Sequence, residues 1–258
     1  MKLQVLGCSG SGLPNHNPPA FLINKNLLLD GGTISSVLDE RAQSRIRHIL
    51  ITHAHLDHTR EIPSFADNMF LRNGKHNISL VGVKDVLQPI KKNMFNNIVW
   101  PDFTSIPSPA KPVIKLKTIK TGINYKVGDY KIIAERTNHS IPSTGFIIKG
   151  PFGKKLLYTG DTGPTVNLWQ RANKAGYINI DGAVIEVTFP NRMRDAALRT
   201  GHLTPALLSD ELKKLERPPL RIFITHTKPQ FLKTISRELI NLKIKKLTIL
   251  KQGKTYTI

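Results

Sequence analysis

The sequence predicts an α/β protein in which two β-sheets pack as a sandwich covered by helices. Three observations predict it. Short apolar runs bounded by Gly, Pro and Asn crowd the first 52 residues, and a second set recurs over residues 131–187. Helical patterns follow each set. The chain has 258 residues, enough for one large or two small domains at roughly 100–200 residues each. It shows no internal repeat and no clean linker, so residues 1–258 are expected to form one domain.

Lys2–Leu6, Ala20–Ile23 and Asn26–Leu29 read as successive strands joined by turns. Ile34–Ala42 reads as a short helix, and Arg47–Thr52 as a strand that runs into a histidine cluster. Lys84–Asn93 reads as a helix. It opens an irregular excursion at about residues 84–115, within which Asn96–Pro112 holds four prolines. Strands return at Lys131–Arg136, Phe146–Ile148, Lys154–Tyr158 and Ala183–Val187. Thr204–Arg217 carries a helix signature: Thr204 at the N-cap, Pro205 at the first helical position, and an apolar stripe of Leu207, Leu208, Leu212 and Leu215. Arg221–Thr225 is a further strand ending at a histidine, Leu232–Leu242 is helical, and a strand or two closes the tail.

Composition narrows the function. No apolar run reaches the roughly 18 residues of a membrane span, which argues against an integral membrane protein. The N-terminal apolar stretch is too short for a signal-peptide core, so a cytoplasmic location is expected. A single cysteine, Cys8, excludes an intramolecular disulfide framework and a cysteine-rich zinc knuckle. Cys8 reads as a small buried hydrophobe. The net charge is +20, from 38 Lys and Arg against 18 Asp and Glu. Such a field attracts phosphates, nucleic acid or anionic surfaces, or reflects a basic proteome or solubility alone. The basic residues are dispersed; the densest late stretch, Pro229–Ile258, has seven against one acid.

The histidines carry the chemistry. Three of nine fall in His53-Ala54-His55-Leu56-Asp57-His58. His53 and His55 are two apart at a strand end, so extended backbone points both the same way. Imidazole and carboxylate are ligands that zinc accepts, and this cluster can serve two adjacent ions. Further ligand types follow other strands: His139, Asp161 within Thr159-Gly160-Asp161-Thr162-Gly163, and His226. His16, His48 and His76 lack such surroundings and read as surface or structural histidines. Gly7–Gly12 is no phosphate-binding P-loop, because no GK[ST] follows. It reads as a strand-to-loop turn whose N–H groups could face a phosphate.

His53–His58 resembles the HxHxDH signature of the metallo-β-lactamase superfamily, and His139, Asp161 and His226 match its later ligand motifs in order. The resemblance covers essentially the whole chain. It implies an αββα four-layer sandwich, two mixed sheets flanked by helices. It also implies two divalent metal ions: His53, His55 and His139 on one, Asp57, His58 and His226 on the other, with Asp161 and a hydroxide between them. Zinc is expected, with manganese or iron as alternatives. Asp30, in Leu29-Asp30-Gly31-Gly32, resembles an early aspartate that supports the ligand loop, or is an ordinary Asp-Gly turn.

Within the superfamily the chain resembles the class II cyclic nucleotide phosphodiesterases. The carriers are Ile51–His58, Phe95–Phe103 (FNNIVWPDF), Leu157–Pro164, Glu186–Pro190, Gly201–Pro205 and Ile224–Lys228. The implied reaction hydrolyses a 3′,5′-cyclic nucleotide to a 5′-monophosphate. Asp57 would orient the nucleophile as well as bind metal. His202 would be the general acid, oriented by Glu186, or a substrate-positioning residue. Lys228 would contact phosphate or be one more solvated lysine. Trp100 or Phe103 would wall the base or simply pack a loop. The expected partner is a small nucleotide, with no membrane and a homodimer as an option. The alternative is a tRNase Z-like RNA endonuclease, or another phosphodiester or sulfate-ester hydrolase of the superfamily, and nucleic acid would then be the partner. Against tRNase Z, only 22 positions separate His139 from Asp161, and the motif at His202 reads GHL where that branch has GHS.

Overall fold

The computed structural model describes residues 1–72 and 77–258. Among the described residues, fourteen strands form two seven-stranded sheets. The first holds β1 (Lys2–Gly7), β2 (Ala20–Ile23), β3 (Leu27–Leu29), β4 (His48–Leu50), β5 (Ile78–Val83), β6 (Ile114–Ile119) and β14 (Thr255–Thr257), in the order β14-β1-β2-β3-β4-β5-β6. The second holds β7 (Asn124–Val127), β8 (Tyr130–Arg136), β9 (Thr144–Lys149), β10 (Lys155–Tyr158), β11 (Gly182–Glu186), β12 (Ile222–Thr225) and β13 (Leu247–Ile249), in the order β13-β12-β11-β10-β9-β8-β7. Both are mixed. β3 to β6 and β10 to β13 pair in parallel, and the remaining pairs are antiparallel.

Period-two alternation sorts the side chains of the second sheet. Ile132, Ala134, Phe146, Ile148 and Leu156 join the core that holds the first sheet. Their neighbours Ile133, Ile147 and Leu157 join a second core with the helices α5 (Asn167–Asn173), α6 (Arg194–Thr200), α7 (Pro205–Leu212) and α8 (Leu232–Asn241). On the first sheet, α3 (Ile62–Leu71) and α4 (Lys84–Asn93) bury Ile62, Phe65, Met69, Val86 and Ile90. The layers are therefore helix, sheet, sheet, helix, as the resemblance implied. Among the described residues, no helix is long and apolar enough to cross a membrane.

Several local expectations need correction. The helix expected at Ile34–Ala42 shrinks to α1 (Glu40–Gln43), capped by the Asp39 carboxylate, which accepts from Ala42 N at 2.7 Å. Ile34–Leu38 forms turns instead, because Glu61 accepts from the amides of Ile34 and Ser36 and from the Ser36 hydroxyl. The helix begun by Thr204 stops at Leu212, short of Arg217. Inside the expected excursion, α4 forms as expected and irregular chain runs only from Met94 to Val113 before β6. Strands β5, β6 and β7 and helices α2 (Leu56–Thr59), α3, α5 and α6 were not anticipated. His76 lies outside the described residues.

Candidate metal centre

Six strands deliver the site from their C-terminal ends. β3 leads to Asp30, β4 to Thr52 and His53, β8 to His139, β10 to Asp161, β11 to Glu186 and Thr188, and β12 to His226. Loops at such ends are free to carry polar groups, while the sheets fix their positions. α2 begins directly after His55 and puts Asp57 and His58 in its single turn.

The seven expected ligands come together in two groups. One holds His53, His55 and His139; the other holds Asp57, His58, Asp161 and His226, with ligand atoms in each group within 4.8 Å of one another. Asp161 lies between them. Its Oδ2 is 3.6 Å from His53 Nε2 and 3.2 Å from His226 Nε2, and its Oδ1 is 3.3 Å from His58 Nε2. His139 Nε2 and His55 Nδ1 face each other at 3.2 Å.

This arrangement fits divalent cations. Among the described residues, His53 Nε2, His58 Nε2 and Asp161 Oδ1 are buried without a hydrogen-bond partner, a condition that native interiors rarely tolerate unless something else satisfies the atoms. The opposite ring nitrogens are tied elsewhere. His58 Nδ1 donates to Asp30 Oδ2 at 2.8 Å, and His139 Nδ1 to the Gly201 carbonyl at 2.9 Å. His53 Nδ1 lies 3.0 Å from the Thr52 hydroxyl, and His226 Nδ1 lies 2.8 Å from the Thr188 hydroxyl. Each tie turns an Nε2 lone pair toward the shared centre, as metal-binding histidines require.

The two supporting sets share one plan. The Thr52 hydroxyl donates to Asp30, and the Thr188 hydroxyl donates to Glu186 Oε2 at 2.7 Å. Each threonine oxygen is then an acceptor for one histidine, and each carboxylate accepts directly from another: Asp30 from His58, Glu186 from His202 at 2.6 Å. Asp30 also takes the Thr52 amide and the Tyr158 hydroxyl, and it is fully buried at a φ of 55°. An aspartate holding four donors from both sheets is no ordinary Asp-Gly turn. Thr52, Thr188, Tyr158 and the Gly201 carbonyl were not anticipated. The adjacency of Thr52 to His53, and the spacing of Thr188 from Glu186, were the available signals.

Electrostatics follow the burial. Desolvation alone would raise Asp161, but the charges of His226 and His58 hold it well below the usual carboxylate range. Asp57 behaves likewise: burial pushes it up, and the His226 hydrogen bond and His58 pull it further down. Burial would lower His58, yet Asp161 and Asp30 hold it well above an ordinary imidazole. His202 is raised for the same reason, with Glu186 outweighing burial.

His202 stands beside the cluster. Its ring stacks on His226 with centroids 5.4 Å apart and meets the His139 ring edge at 5.0 Å. Lys228 is tied down, not freely solvated: its Nζ donates to the Gly10 carbonyl at 3.1 Å and lies 5.7 Å from the Phe189 ring centre. The two aromatic candidates both pack against the first core. Phe103 is only 2 % exposed and packs on Phe70 in the core, so it cannot wall a ligand. Trp100 is half-buried against the same core, with its indole nitrogen buried. Gly7–Gly12 packs the site and offers few free amides. The N–H groups of Cys8 and Ser9 go to the Asn17 carbonyl and that of Gly10 to Thr227. A Cβ at Gly10 would collide with His226, whose own φ is 61°. His16 and His48 are half-buried and structural in placement, with His16 Nδ1 3.5 Å from the Ser9 hydroxyl.

Residues 32–227 match the family model described as beta-lactamase superfamily domain. The chain belongs to the metallo-β-lactamase superfamily. It is 29 % identical over 206 residues, 72 % of the chain, to a probable 3′,5′-cyclic-nucleotide phosphodiesterase of Yersinia pestis, and spans 58 % of that relative's length. It is 30 % identical to a 3′,5′-cyclic-nucleotide phosphodiesterase of Aliivibrio fischeri, covering 82 % of this chain and 74 % of that one. A ribonuclease Z of Methanocaldococcus jannaschii is 26 % identical and matches 79 % of each chain. The solved structure of unliganded yeast PDE1 superposes with a TM-score of 0.82 over 98 % of both chains at 17 % identity, which shows that the metallo-β-lactamase fold is shared.

Proposed function

We propose that the protein is a metal-dependent hydrolase that opens 3′,5′-cyclic nucleotides to 5′-monophosphates. The observation that carries this reading is the pairing of the His/Asp cluster with the adjoining Glu186–His202 pair, in a chain whose Yersinia and Aliivibrio relatives carry that activity in their names.

His53, His55 and His139 would hold one divalent ion and Asp57, His58 and His226 the other, with Asp161 between them. Ions there, zinc first, would lower the pKa of water and neutralise charge building on the phosphoryl oxygens. Asp57 keeps about a third of its side chain exposed at 31 %, so its carboxylate can accept a hydrogen bond from an incoming water and aim it at phosphorus. A new oxygen–phosphorus bond forms and the bond to the 3′ oxygen breaks. His202 Nδ1 is held by Glu186, so Nε2 is the nitrogen free to give its proton to the departing 3′ oxygen. Lys228 would meet the phosphate as a point charge. Phe103, buried in the core, is not the ring that covers the base; Trp100 keeps exposed surface and would be the candidate for that wall.

A second reading, an RNA endonuclease, draws on the ribonuclease Z relative and the +20 charge. The test is chromatography of products from cyclic AMP and cyclic GMP with the zinc-loaded protein, beside a chelator-stripped control. A metal-dependent 5′-monophosphate is expected. A 3′-monophosphate, or turnover that survives the chelator, contradicts the reading.

A further inference from the structure

The second sheet carries a row of lysines at the edge away from the metal centre. Register pairs Lys126 with Lys131, Lys131 with Lys149, and Lys149 with Lys155, across β7, β8, β9 and β10. Lys131, Lys149 and Lys155 share their alternation with Ile133, Ile147 and Leu157, so the row stands on the helix-covered face, beyond the last turn of α5. At a strand spacing of about 4.8 Å the row is about 14 Å long. Like charges directly opposite one another work against strand pairing, so the row does not serve the sheet.

Little neutralises it. Among the described residues, Lys126, Lys131 and Lys149 make no ion pair and are exposed. Asp181, which follows Lys155 in the row, is already paired to Lys154 at 2.7 Å. Asp129 lies in the exposed turn between β7 and β8. The Lys155 Nζ donates to the Ile178 carbonyl at 2.9 Å.

An aromatic ring stands beside the row, in the turn between Lys149 and Lys155. The turn joining β9 to β10 reads Lys149-Gly150-Pro151-Phe152-Gly153-Lys154-Lys155, and Phe152 is 101 % exposed at a φ of 65°. Nothing in the fold needs that ring, and a left-handed backbone holds it at the tip. On the same face Tyr177, half-buried, donates to Asn124 at 2.6 Å, one alternation step from Lys126.

We infer that this edge binds single-stranded nucleic acid, with the lysine row following the phosphates and Phe152 stacking a base. A basic track with an exposed ring beside it brings together the two elements of sequence-tolerant single-strand binding, charge along the backbone and a stacking surface for a base. A line of charge with one ring suits it better than an anionic membrane, which takes up a broader apolar face. The surface is separate from the metal centre, since β8 and β10 reach that centre through their opposite ends. It does not depend on which substrate is hydrolysed there.

The test is fluorescence anisotropy of a labelled 16-nucleotide oligothymidylate with the full chain, titrated at several salt concentrations. The probe lacks the 2′-hydroxyl, so an RNA-cleaving active site would not consume it. Log affinity is expected to fall linearly with log salt. The double variant Lys131→Gln/Lys149→Gln should lose about 1.4 from that slope, at about 0.7 per phosphate contact. Phe152→Asn, chosen because Asn tolerates a positive φ, should weaken binding about fivefold or more with the slope unchanged. Thermal unfolding should match the wild type in both. Absence of oligonucleotide binding overturns the inference, as does wild-type affinity in both variants. So does Phe152-dependent binding to phosphatidylserine vesicles in place of the oligonucleotide.

Discussion

The Nδ1–H of His226 donates to the Thr188 hydroxyl at 2.8 Å, and that hydroxyl in turn donates to Glu186 at 2.7 Å. Glu186 therefore governs two histidines, His202 directly and His226 through one oxygen. Thr188→Val keeps the volume and removes the relay. Metal affinity and turnover are expected to fall by about 10–100-fold, the usual effect of losing a partner behind a ligand. Thr188→Ser should restore both. Metal content by elemental analysis, read beside kcat, checks this; full metal retention in the valine variant contradicts it.

Asp57→Ala and Asp161→Ala are expected to abolish turnover together with metal binding. His202→Ala should lower kcat while metal content stays at the wild-type level. Because Glu186 holds the His202 pKa above the ordinary imidazole value, its proton stays available to correspondingly higher pH. kcat should then decline as pH rises through that raised value, and the decline should vanish in His202→Ala. Metal loss in that variant, or an unchanged profile, removes His202 from the acid role.

Metal-stripped protein should show a bell-shaped stability profile. Asp57 and Asp161 have depressed pKa values, so their contribution is complete above the ordinary carboxylate range and declines steadily as pH falls through and below that range. His58 has a raised value, so its contribution is complete below the ordinary imidazole range and lost as pH rises through the raised one. Thermal unfolding from pH 3 to 9 checks both limbs. A flat profile for the stripped protein would contradict the assigned charges.

Two side chains outside the cluster give sharper contrasts. Phe103→Ala empties a core position 2 % exposed and should cost about 3–5 kcal/mol of stability, with KM unchanged at temperatures where the variant is folded. A raised KM without lost stability would return Phe103 to the substrate wall.

Burial pushes the Cys8 thiol up to about 11. Its alkylation at pH 8 should run more than tenfold slower than that of free cysteine. Reaction at the free-thiol rate would show an open site.

Much of this was legible in the sequence, for definite physical reasons. His53 to His58 is a dense local pattern, and His139, Asp161 and His226 each follow an apolar strand, so a strand-end site could be assembled by position alone. The layered fold followed from two sets of short apolar runs. What stayed hidden depends on contacts distant in sequence. Glu61, from the far side of α2, captures the amides of Ile34 and Ser36 and dissolves most of the helix expected there. From the sequence, Asp30 could equally support the ligand loop or form an Asp-Gly turn; Tyr158, 128 positions away, donates to it and decides for support. Phe103 sits in a proline-rich stretch that reads as an irregular excursion, and its ring packs on Phe70 in the core. The lysine row is invisible without strand register, because its members are scattered over 30 positions.

The most direct measurement sets two substrates side by side. The zinc-loaded protein is incubated with cyclic AMP and, separately, with a tRNA precursor bearing a 3′ trailer, and the products are resolved by chromatography. Chelator-sensitive 5′-AMP with uncut RNA is the predicted result. Trimmed RNA with intact cyclic AMP would contradict the account and make the +20 charge the better guide to the substrate.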